Sequence, residues 1–96
     1  MTPIPLTPET AALARRLVWF EEPAAALADP VRFVAYALDA ATAEDMAILA
    51  RYVTAADLRT ALAAAPPGII GPRSWTYWHA RFGRSPAPPM PTRRLR

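Results

Sequence analysis

His79 is the only histidine in the chain and the first residue to test for catalysis. Imidazole is the commonest general base, and a hydrolytic triad would join it to a serine and an acid. Ser74 and Ser85 are the only serines. On a helix Ser74 and His79 would point about 140° apart, and no acid follows Asp57. The absence of cysteine removes thiolate nucleophiles, disulfides and thiolate metal sites. The absence of lysine removes Schiff-base chemistry and a phosphate-loop lysine. One histidine cannot build a two-histidine metal site. The sequence therefore assigns no catalytic residue, no metal ligands and no cofactor, and the protein is expected not to be an enzyme.

Two carboxylate pairs, Glu21-Glu22 and Glu44-Asp45, are sequence neighbours. Glu44-Asp45 falls in the first turn of a helical pattern, where negative charge complements the helix dipole. Glu21-Glu22 falls where the first helical pattern ends, an unfavourable place for acids. Adjacent helical residues point apart, so neither pair forms an acid–base couple.

The richest stretch is Arg73 to Arg84, with two tryptophans, one tyrosine, one phenylalanine and three arginines in twelve residues. Trp75, Trp78 and Phe82 fall on one stripe and are read as core, with His79 packed beside them. Tyr77, Arg81 and Arg84, spaced four and three, form a second stripe and are read as partner-binding residues, because tyrosine and arginine are enriched at interface hot spots. The same mixture of types could also stack on single-stranded nucleic acid.

Charge is divided unevenly. Residues 1–60 hold five arginines and all eight acids, a net of −3, whereas residues 61–96 hold six arginines and no acid, a net of +6. A GC-rich genome accounts for arginine over lysine, but not for the missing acids. A basic end attracts nucleic acid or an acidic protein surface. Arg93, Arg94 and Arg96 are the expected nucleic-acid contacts, weak and salt-sensitive. Residues 43–65 have roughly the segment lengths of a helix-turn-helix. Its reading helix would offer only Asp57, Arg59 and Thr60, and the chain has no Asn or Gln to pair with adenine.

These side chains need a scaffold. At 96 residues, 53% of them hydrophobic and 20% charged, the chain makes about one globular domain. Its twenty-two alanines allow helices to approach closely. We expect an all-α single small domain of four to five short helices with Pro-rich extended termini. The boundaries are a Pro-rich N-terminal arm over 1–7, a helical domain over 8–84 and a Pro/Arg-rich tail over 85–96.

Thr7-Pro8 starts the first helix, with Leu13, Leu17 and Phe20 on its face, and Pro23 stops it. Asp29-Pro30 starts the second, with Val31, Val34, Leu38 and Ala41 along it. Thr42 with Asp45, and Thr54 with Asp57, are capping boxes for the next two. Pro66-Pro67-Gly68 ends the fourth, and Ile69-Ile70 is an apolar pair in the loop. Gly71-Pro72 opens the fifth and Gly83 closes it. The tail, with four prolines in its first seven residues, is expected to be extended and mobile. Neither a secretory signal nor a membrane-length apolar run is present, and the expected location is the cytoplasm.

The order Trp19-Phe20, Asp29-Pro30 with Arg32-Phe33-Val34, Glu44-Asp45, Arg51-Tyr52, Leu58, Leu62, a Pro-containing loop, and Ser74-x-x-Tyr77-Trp78 with Phe82-Gly83 resembles a family of small bacterial proteins. Members are encoded beside nucleotidyltransferase-like toxins of the AbiEii class and are proposed to be their antitoxins. The resemblance spans roughly residues 17–84 and departs from the family at Pro66–Ile70. It implies a protein partner, such a toxin, and no catalytic residue. The alternatives are a small basic DNA-binding transcriptional regulator and a structural subunit of an assembly.

Overall fold

The computed structural model describes residues 1–92 and contains six α-helices there: α1 (Pro8–Leu17), α2 (Pro23–Ala28), α3 (Pro30–Ala40), α4 (Ala43–Leu49), α5 (Ala55–Ala64) and α6 (Pro72–Arg81). No strand occurs among the described residues. The all-α expectation holds, with one helix more than foreseen.

Most helix starts follow from local chemistry. The Thr7 hydroxyl accepts from the Thr10 N–H at 3.1 Å, and the Thr10 hydroxyl accepts from the Thr7 N–H at 2.7 Å. Thr42/Asp45 and Thr54/Asp57 make the same reciprocal pair at α4 and α5. Asp29 accepts from the Arg32 N–H at the start of α3. Each cap satisfies N–H groups that the helix itself leaves free.

The extra helix is α2. Pro23 does not merely stop α1 but occupies the first turn of α2, where its missing N–H costs nothing. Glu22 consequently sits at a helix N-terminus, where its charge is favourable, rather than at a C-terminus. α1 already ends at Leu17, so Phe20 leaves the buried face and is 51% exposed. A six-residue helix without a side-chain cap shows neither periodicity nor a capping signature.

α3 is the hub and packs against α1, α2, α5 and α6. It buries Phe33, Val34, Ala35, Ala37 and Leu38. With Ala61 of α5 also fully buried, small side chains let α3 and α5 lie close together. Ile70 joins the core from the loop before α6.

The N-terminal arm and the described part of the tail are extended but tied down. Ile4 is 5% exposed and donates its N–H to the Leu27 carbonyl at 3.1 Å. In the tail, Trp75 Nε1 donates to the Pro88 carbonyl at 2.7 Å, and Ala87 and Met90 pack on the core. The tail's first half is therefore anchored, against the expectation of mobility, because a buried indole N–H needs an acceptor. Arg93, Arg94 and Arg96 lie outside the described residues.

Candidate partner-binding surface

α6 is locked to the end of α3 by three hydrogen bonds. The Gly71 N–H donates to Asp39 Oδ1 at 2.9 Å, Ser74 Oγ to the Asp39 carbonyl at 3.1 Å, and Trp78 Nε1 to the Leu38 carbonyl at 2.7 Å. A side chain at position 71 would meet Asp39 Oδ1 at 3.3 Å, so glycine suits this close approach.

The result is a groove of about 510 Å³ between α6 and the α3–α4 junction. Leu38, Ala41, Met46 and Trp78 contribute its apolar surface, and Arg73, Tyr77 and Arg81 its polar and aromatic rim. These three recur every four residues, which places them along one face of α6. Tyr77 is 54% exposed and packs edge-on against Trp78, with ring centroids 5.2 Å apart. Neither Arg73 nor Arg81 is ion-paired among the described residues.

The structure thus brings Tyr77 and Arg81 together but separates Arg84 from them. Gly83, at φ 85°, turns the chain away from the helix path, with Gly83 N–H to Ala80 O and Arg84 N–H to His79 O closing α6. Arg84 lines another recess, of about 250 Å³, with Arg59, Leu62, Ala63, His79 and Phe82. Arg73 is the rim residue that sequence reasoning missed. The spacing 73, 77, 81 carries the signal, and it runs toward the N-terminus rather than toward Arg84.

His79 is 4% exposed, and neither ring nitrogen has a hydrogen-bond partner among the described residues. Burial, and then the charge of Arg84, push its pKa below the ordinary imidazole value. Ser74 lines the groove and His79 the recess, and the Ser74 hydroxyl is engaged with Asp39, so the two do not form a nucleophile–base pair. Among the described residues no cluster of three His, Cys, Asp or Glu side chains could hold a metal.

Three of the carboxylates, Asp45, Glu21 and Glu9, have arginine partners. Asp45 completes the α4 capping box by accepting from the Thr42 N–H at 3.3 Å, and it pairs with Arg16 of α1. Burial pushes its pKa up, but the hydrogen bonds from Arg16 and the Thr42 backbone outweigh it and hold the carboxyl below its usual range. Glu21 pairs with Arg32 at 2.8 Å. Glu9 accepts from the Tyr52 hydroxyl and pairs with Arg51.

A second surface is aromatic. Trp19, 78% exposed, meets Phe20 edge-on at 5.5 Å, and Phe20 meets Tyr36 at 5.7 Å. The Arg32 guanidinium lies 5.3 Å from the Tyr36 centroid and 6.0 Å from that of Phe20. The helix-turn-helix geometry finds less support: α5 packs mainly on α3, Arg59 is laid over Phe82, and the Thr60 hydroxyl donates back to Ala56.

No helix among the described residues is long and apolar enough to cross a membrane. Compared with models of known protein families, with curated proteins and with solved structures, the chain matches none.

Proposed function

We propose that this protein is a non-enzymatic docking module that binds an acidic surface of a partner protein through the α6 groove. The observation that carries this reading is the row Arg73, Tyr77, Arg81: an exposed tyrosine and two guanidinium groups without an ion pair among the described residues, set over an apolar floor. Arginine forks pair with carboxylates in a bidentate way, and tyrosine and arginine dominate interface energetics. The partner we infer is a nucleotidyltransferase-like toxin, with this chain as its antitoxin in the bacterial cytoplasm. Two things support that choice: the resemblance over residues 17–84, and the metal-binding carboxylates such an enzyme presents. Arginines could cover those carboxylates and block the site.

Charge reversal tests the reading. Arg73→Glu with Arg81→Glu should abolish co-purification with a toxin encoded in the neighbouring gene and release its toxicity, while circular dichroism stays helical. A double variant that still binds and neutralises would overturn docking through this groove.

A further inference from the structure

We propose that the recess between α5 and the end of α6 is a binding site for a small organic anion, an oxyanion group carried on a compact apolar body. Two cations converge there from different elements. Arg59 projects from α5, with its guanidinium 5.0 Å from the Phe82 ring centroid. A guanidinium held over a ring face keeps N–H donors for another partner. Arg84 arrives from the far side, delivered by the left-handed turn at Gly83. Neither is ion-paired among the described residues.

His79 lines the same recess, and both its ring nitrogens are buried without a hydrogen-bond partner among the described residues. Such orphaned groups are uncommon in native proteins, and here they belong to a side chain on the wall of the recess. Neutral imidazole offers one N–H donor, and its charged neighbours across the recess are guanidinium groups. The acceptor those surroundings favour is an anion. Asp57, the last acidic residue of the chain, accepts the Thr54 N–H at 2.8 Å in the α5 cap, and no carboxylate side chain pairs with Arg59 or Arg84 among the described residues. An oxyanion on an external ligand would meet both guanidinium groups there.

The remaining walls, Leu62, Ala63 and Phe82, are apolar, which a bare inorganic ion would not use. The volume of about 250 Å³ lies just below the range of roughly 300–1,000 Å³ for drug-sized ligands, so a compact ligand fits. The recess is separate from the α6 groove, and the two sites stand or fall independently.

Because the chain has one histidine, its imidazole resonances report on this recess without ambiguity. Labelled protein is titrated with phenyl phosphate, inorganic phosphate and phenol while the His79 ring signals are followed. Phenyl phosphate should shift them saturably and bind more tightly than either fragment alone. Arg59→Gln and Arg84→Gln should each weaken binding about tenfold or more, the loss expected for one charge-assisted contact. Both side chains are exposed, so both variants should keep the parent's melting temperature. Arg15→Gln, on a different hollow, should bind like the parent. No saturable shift up to about 10 mM phenyl phosphate, unchanged affinity in both arginine variants, or inorganic phosphate binding as tightly as the phenyl ester would each overturn the proposal.

Discussion

His79→Phe should make this protein more stable. The substitution removes two buried ring nitrogens that lack partners among the described residues. Leaving a buried polar group unsatisfied costs about 1–3 kcal/mol. Phenylalanine is close in size and keeps the edge-on contact with Trp75, now at 4.3 Å and 61°. That contact, worth about 0.5–1.5 kcal/mol, is therefore retained. A net gain of about 1 kcal/mol is expected, which raises Tm by about 4–8 °C in a domain of this size.

The pH dependence gives a second readout. Burial and the neighbouring Arg84 charge hold His79 below the ordinary 6.5, so the unfolded chain takes up a proton that the folded one resists. The stability that goes with neutral His79 is complete above 6.5 and is lost as the pH falls below it. The phenylalanine variant should lack this loss. Urea unfolding at a pH of about 7.5 and again at about 5.5 measures both effects. A variant less stable than the parent at neutral pH with an unchanged m-value, or one losing as much stability on acidification, would show that His79 is satisfied in solution. Stabilisation, by contrast, fits a residue kept for binding at a cost to folding.

Three further outcomes are expected. Asp45→Asn should weaken the α1–α4 join; Asp45 has a folded pKa below its ordinary 3.8, so its contribution is present above that value and is lost as the pH falls, and acid unfolding monitored by circular dichroism should flatten in the variant below about pH 4. Trp19→Ala with Phe20→Ala should shift Tm little, since both side chains are largely exposed; if pull-down shows that partner binding is lost, the aromatic surface docks and the α6 groove does not. Binding to duplex DNA should be weak and without marked sequence preference, with log affinity falling by about 0.9 per unit log salt for each phosphate neutralised; nanomolar affinity for one operator in a gel-shift assay at physiological salt would favour a regulator instead.

Most of the fold was legible in short-range chemistry. Thr7, Asp29, Thr42 and Thr54 announce helix starts because a cap is a contact across three residues, written directly in the chain. Gly83 announces a stop because a left-handed turn suits glycine. The charge division and the burial of Trp75 were legible in the same way. α2 was not, since six residues and a proline carry no periodic signal and Pro23 reads equally as a start or a stop.

The site was decided by contacts distant in sequence. Asp39 and Leu38 orient α6 from more than thirty positions away and so make a groove of Arg73, Tyr77 and Arg81. Pro88 anchors a tail that its composition marked as mobile. Arg59 and Arg84 meet around His79 because α3 holds α5 on one side and α6 on another. Local sequence determines which residues cap, turn and bury, because those preferences act over one helical turn. Which arginines share a surface depends on how the helices pack, and that is a property of the whole core.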